Sequence, residues 1–144
     1  MILYLDTSAL VKAYLTEPFR QSVLSAISKA EVVASHMLAY VEAHATFARL
    51  SRKGGLPEPQ FEVVKKEFTA DWANYMQIGT TQSLTQRAVD LCQAFALRAY
   101  DSVHLASADF LLKQSGEIIV FACFDRKLNR AADVLGLSLL DSSR

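Results

Sequence analysis

Two short apolar runs, each closed by an aspartate, constrain this chain more than any other feature. Residues 1–5, "MILYL", run into Asp6, and residues 118–124, "IIVFACF", run into Asp125. Continuous apolar runs of strand length belong to strands covered on both faces. Each acid is followed by a segment with helical spacing, "SALVKAYL" after the first and "RKLNRAADVL" after the second. That order puts both carboxylates at the carboxyl ends of strands, the edge at which open α/β sheets bind ligands.

The rest of the chain keeps the alternation. A turn at Glu17-Pro18 separates the first helix from "FRQSVLSAISKA", a second helix, and "EVVAS" reads as a second short strand. From His36 to Lys53 the spacing predicts a long helix with a buried stripe of Leu38, Val41, Ala45 and Ala48. "GGLPEP" ends it, and "QFEVVKKEFTADWANY" is the next helix. A weak strand at "MQIG", helices at "SLTQRAVDLCQAFALR" and "SVHLASADFLLKQ", and a last strand at "LSLL" complete the pattern. Strands alternating with helices predict an α/β fold with a central parallel sheet between helical layers. The 144 residues fit one domain, 1–144, with no repeat or linker.

Composition removes several classes. With 51% hydrophobic and 21% charged residues the chain is neither disordered nor fibrous. No basic stretch precedes the first apolar run, Asp6 interrupts it early, and no apolar stretch reaches membrane-spanning length. A cytoplasmic protein without membrane contact is expected. Fifteen basic and fifteen acidic residues cancel, so any nucleic-acid contact must come from local patches. Cys92 and Cys123 lack metal or redox spacing and read as small buried hydrophobes.

Four acids interrupt otherwise apolar surroundings: Asp6, Glu42 in "LAYVEAHA", Asp101 in "LRAYDSVHLASADF", and Asp125. Taken singly, each aspartate could be a helix cap and Glu42 a solvated helix residue. Taken jointly, carboxylates converging on one sheet edge would repel one another and raise their own pKa values unless a cation is bound. Carboxylates without cysteine or paired histidine suit Mg²⁺ or Mn²⁺, and such sites hydrolyse phosphate esters.

The segments "YLDTSALVKAY", "LAYVEAHATFARL", "LRAYDSVHLASA" and "FDRKLNRAA" resemble, in order and spacing, the four motifs of the PIN-domain nucleases, most of all the VapC-like toxins of toxin-antitoxin pairs. The resemblance spans essentially the whole chain. It implies a PIN-like three-layer α/β/α sandwich with a central parallel sheet. It also implies a metal-dependent endoribonuclease in which Asp6, Glu42, Asp101 and Asp125 hold Mg²⁺ or Mn²⁺ and a metal-activated water cuts RNA. Ser8 matches a hydroxyl residue that orients such sites. Ser102 and Cys123 depart from the family pattern, the latter replacing a hydroxyl residue two positions before Asp125. The implied partners are RNA, a VapB-like antitoxin and a second copy in a homodimer.

Other readings stay open. A catalytically weak PIN module could bind RNA or a protein without cleavage, and Asp6 after the first strand could be an aspartyl nucleophile of a phosphotransferase. Against the latter, Ser8 stands where a second acid is wanted. Among the basic residues, Arg126 and Arg130 are the expected RNA phosphate contacts, while Arg49, Arg52 and Lys53 suit a helix C-terminus. His104 reads as a packed helix residue, and Phe61, Phe68, Trp72 and Tyr75 as core at helical spacing.

Overall fold

The structure, a computed structural model, describes residues 1–140; residues 141–144 of the expected domain lie outside the described residues. The described chain runs β1 (Ile2–Leu5), α1 (Thr7–Lys12), α2 (Arg20–Lys29), β2 (Val32–His36), α3 (Ala39–Arg52), α4 (Glu58–Trp72), β3 (Met76–Ile78), α5 (Gln82–Phe95), α6 (Ala99–Ser115), β4 (Ile119–Ala122), α7 (Arg126–Val134) and β5 (Ser138–Leu139). Among the described residues the strands form one five-stranded sheet in the order β3-β2-β1-β4-β5, and every neighbouring pair is parallel.

The strand β1 is central and buried along its whole length. Its side chains alternate between two cores, as a pleated strand requires. Leu3 and Leu5 point into one with Ala9, Phe47 and Phe68, and Ile2 and Tyr4 into the other with Leu105, Phe121 and Leu128. The first core lies under α1 to α4 and the second under α5 to α7, which gives the expected three layers. An aromatic cluster fills the first, where Phe68 packs against Tyr14, Tyr40, Phe47 and Trp72 with ring centroids 5.3–5.7 Å apart. Phe61 and Tyr75 are partly buried against the same core, so these aromatics are packing residues.

The chain winds outward from β1 to β2 and β3, then returns to build β4 and β5 on the other side. That reversal opens a crevice between the ends of β1 and β4, the topological switch point of an open α/β sheet. Leu5 pairs with Ala122, and the Asp6 amide donates to the Ala122 carbonyl at 3.1 Å. Asp6 directly follows β1, whereas Asp125 lies three residues past the end of β4, after Cys123 and Phe124, so the second acid does not close its strand directly as the sequence suggests.

Three local expectations are corrected. His36 belongs to β2 and not to the following helix, because its backbone pairs with Ile78 in β3. Its ring then assists the helix start, with Nδ1 accepting from the Leu38 amide at 3.2 Å. The helix α3 buries Ala39, Ala43 and Phe47, whereas Leu38 is 49% and Val41 61% exposed, so its apolar stripe is rotated from the expected one. Asp101 lies inside the first turn of α6, whose cap is Arg98, and so is no capping residue.

Candidate active site

Asp6, Glu42, Asp101 and Asp125 line one open cavity of about 390 Å³ at the switch point, together with Thr7, Ser8, Arg98, Tyr100, His104 and Phe124. Four segments far apart in sequence supply these acids. The exits of β1 and β4 contribute Asp6 and Asp125, and the first turns of α3 and α6 contribute Glu42 and Asp101. Convergence at one sheet edge is what the motif order leads one to expect.

Asp6 is buried, with 5% of its surface accessible. Its Oδ1 accepts from the Ser8 hydroxyl at 2.7 Å and from the Ala9 amide at 2.9 Å, so it both caps α1 and stays anchored at the cavity floor. Burial pushes its carboxyl up to about 6, against the lowering effect of these bonds and with a further push from the Asp101 charge. Glu42 moves in the same direction, by burial first and the Asp101 charge in addition. Asp125 caps α7 by accepting from the Leu128 amide at 2.9 Å. Asp101 accepts from Arg98 Nε at 2.9 Å. Capping and cavity lining thus coexist in Asp6 and Asp125, since one carboxylate has lone pairs for both.

A hydrogen-bonded chain reaches Glu42 from the core. The Thr7 hydroxyl donates to Glu42 Oε1 at 2.9 Å and lies 3.2 Å from His104 Nε2, and His104 Nδ1 lies 2.7 Å from the Tyr4 hydroxyl. With Glu42 ionised, Thr7 has spent its one proton on it, so Nε2–H donates to Thr7; in a neutral ring Nδ1 then accepts from Tyr4. Burial drives the His104 pKa down to about 3, in agreement with that assignment. His104 is accordingly a packed support of the site, as expected. Thr7 escaped sequence reasoning, for nothing in a lone threonine announces partners 35 and 97 residues away.

Ser8, at the motif position of a hydroxyl residue, hydrogen-bonds Asp6. Cys123 is fully buried, and its sulfur accepts from the Asp125 amide at 3.3 Å, so the residue that replaces a hydroxyl still supports the β4 exit. Burial raises its thiol well above the ordinary range, which makes it unreactive. Arg126 and Arg130 are exposed on α7 and do not line the cavity, whereas Arg98 does.

The donor set fits a hard divalent cation. It is all oxygen, and its two desolvated carboxyls hold their protons against the usual acid range, a disadvantage that a bound cation would remove. Among the described residues no three acids, histidines or cysteines are already gathered round a common point. Asp101 is engaged by Arg98 instead.

The PIN domain family matches residues 3–134. The chain is 32% identical over 135 residues to ribonuclease VapC45 and to ribonuclease VapC49, each from a strain of Mycobacterium tuberculosis, covering 94% of this chain and 92% of each relative. In fold it matches the crystal structure of VapBC2 from Rickettsia felis bound to a DNA fragment from their promoter, with TM-score 0.65 and 14% identity over 96% of this chain and 97% of that one. The FitAcB structure from Neisseria gonorrhoeae gives TM-score 0.64 and 16% identity over 97% and 96%. With a family match across most of its length and near-complete alignment to two such ribonucleases, this chain belongs to the PIN-domain family, as a VapC-type ribonuclease.

Proposed function

We propose that the protein is a Mg²⁺- or Mn²⁺-dependent endoribonuclease of the cytoplasm, acting as one domain, and the toxin of a VapBC-like pair. The observation that carries this reading is the meeting of Asp6, Glu42, Asp101 and Asp125 in one cavity at the sheet's switch point. These four residues would hold the cation. When bound, it supplies Lewis acidity, lowering the pKa of water and offsetting charge on phosphate oxygens.

The chain's own residues prepare that chemistry. Ser8 and the Ala9 amide fix Asp6, Thr7 fixes one oxygen of Glu42, and the Leu128 amide fixes Asp125. Neutral His104 holds Thr7 without adding a competing charge. Arg98, 80% exposed at the cavity rim, supplies a guanidinium for a backbone phosphate once a cation takes Asp101, and Arg126 and Arg130 extend the basic surface along α7. Water attacks phosphorus in line with the departing 3′ oxygen, whose bond to phosphorus breaks, so products carry 5′-phosphate and 3′-hydroxyl ends.

Partners follow the same reading. RNA is the substrate, and a VapB-like antitoxin is the inhibitor. Both relatives are ribonucleases by name, and a VapBC complex shares the fold. The exposed Leu38 and Val41 on the turn that carries Glu42 support a protein contact beside the site, and we assign a homodimer. Among the described residues no helix is long and apolar enough to cross a membrane. The test is incubation of purified protein with total RNA in Mg²⁺ or Mn²⁺ and in EDTA. Discrete metal-dependent cuts are expected. Absence of cleavage by a folded, antitoxin-free preparation would favour a module that binds RNA or protein without cutting, and 2′,3′-cyclic phosphate ends would exclude water as nucleophile.

A further inference from the structure

Phe124 lines the acid cavity immediately before Asp125, and its ring is not alone there. The Phe19 ring stacks on it, with centroids 5.4 Å apart and planes 23° from parallel, and Lys12 Nζ sits 4.8 Å from the centre of the Phe124 ring. Phe124 packs against the first core, but Phe19 belongs to neither core cluster and is 51% exposed. Its backbone is also unusual. At φ 70° and ψ 6° it is left-handed, a conformation that among the described residues only one other non-glycine, Ala96, adopts. A large aromatic residue in that region is costly, and such outliers concentrate where a side chain must be aimed. The cost is accepted at a place where half the ring faces solvent.

Charges of both signs lie near Phe19. Lys12 is already engaged by Glu17 at 3.5 Å. Arg20, next in the chain and half-buried, lines a shallow depression of about 470 Å³ with Glu17 and Phe19; its Nε is buried without a hydrogen-bond partner, so only the rest of the guanidinium is offered to a ligand. A flat ring with an accessible face and a guanidinium beside it match the base and the phosphate of one nucleotide.

We propose that Phe19 is a stacking platform for one unpaired nucleobase flanking the scissile phosphate. The inference rests on the ribonuclease reading above. An A-form duplex keeps its bases stacked inside and offers none to such a platform. Every base has a π-face, so the platform selects for unpaired structure and little for sequence.

The test uses steady-state cleavage of a short single-stranded oligoribonucleotide containing a mapped cut site, and a series of the same oligonucleotide with one abasic residue at each position flanking the cut. The proteins are the natural chain, Phe19→Leu, Phe19→Trp, and Phe110→Leu as an exposed-phenylalanine control from α6. Phe19→Leu should raise KM by roughly 5- to 100-fold with little change in kcat, while Phe19→Trp and Phe110→Leu stay near the natural value. One abasic position should raise KM for the natural protein by a similar factor and add nothing in Phe19→Leu. Overturning results are a KM for Phe19→Leu within twofold of natural, an abasic penalty equal in both proteins, or a defect of Phe19→Leu confined to antitoxin binding. If the natural protein cuts no RNA, the ribonuclease reading itself fails and the platform with it; cleavage with an indifferent Phe19 removes the platform alone.

Discussion

Thr7 Oγ1 donates a 2.9 Å hydrogen bond to Glu42 Oε1, tying the exit of the central strand to the first turn of α3. The same oxygen accepts from His104, so three segments meet at one hydroxyl. The bond fixes which Glu42 oxygen is occupied and leaves the other free to face the cavity.

Thr7→Val keeps the shape and deletes the hydroxyl. Glu42 loses its donor and the buried His104 N–H its acceptor. We expect Mn²⁺ affinity to fall by about 10- to 100-fold, the usual effect of losing a supporting bond in a metal site, and stability by about 1–3 kcal/mol. Thr7→Ser should stay close to the natural protein in Mn²⁺ titration and thermal melts.

The raised pKa of Asp6 predicts a pH-dependent stability. Its folded-state value of about 6 exceeds the ordinary 3.8, so between these limits the folded state binds more protons than the unfolded one. Stability from this group is therefore gained as pH falls from about 6 toward 4 and lost as pH rises through 6, by up to about 3 kcal/mol. In the absence of metal, Asp6→Asn should be more stable than the natural protein at pH 7.5, by about 1–3 kcal/mol, and equal to it near pH 4. Mg²⁺ should raise the melting temperature of the natural protein at pH 7.5 and leave that of the variant unchanged. Denaturant melts across pH would check both.

The register of α3 is equally testable. Phe47 is fully buried and Val41 is 61% exposed, although both belong to plausible apolar stripes. Phe47→Ala should cost about 3–5 kcal/mol, and Val41→Thr should remain within about 0.5 kcal/mol of the natural protein. Equal losses in urea unfolding would mean that α3 is rotated and Glu42 no longer at the cavity.

Two α3 stripes at three-four spacing overlap in the sequence, and this is where legibility ended. Leu38, Val41, Ala45 and Ala48 are as apolar as Ala39, Ala43 and Phe47, and only the sheet beneath decides which set it covers. The sheet itself was readable, because the apolar runs at β1 and β4 are uninterrupted; Asp6 marks the end of β1, while two residues, Cys123 and Phe124, separate Asp125 from the end of β4. The pairing of β1 with β4 brings their two exits, and with them Asp6 and Asp125, to one cavity. The fourfold meeting of the acids came from motif order, since no local pattern shows distance. His36 was misplaced because strand continuation into β2 depends on a partner, Ile78, far along the chain. The Tyr4–His104–Thr7–Glu42 chain was invisible for the same reason, its links being long-range and its members individually unremarkable in type.

Arg98 should act on RNA more than on the fold. Its side chain is 80% exposed, and an exposed ion pair with Asp101 contributes little to stability. Arg98→Met should melt like the natural protein, bind RNA more weakly irrespective of sequence, and reduce the slope of log affinity against log salt by roughly 0.7, the value for one single-strand phosphate contact. Salt titrations of RNA binding would measure it.

The most direct measurement of the shared carboxylate site is calorimetric titration of Mn²⁺ into the natural protein, Asp6→Asn and Asp101→Asn, with RNA cleavage followed in the same preparations. The account predicts that the natural protein binds and cuts, and that each variant, folded by circular dichroism, loses binding and cleavage together. Variants that bind Mn²⁺ as tightly as the natural chain and still cut RNA would contradict it.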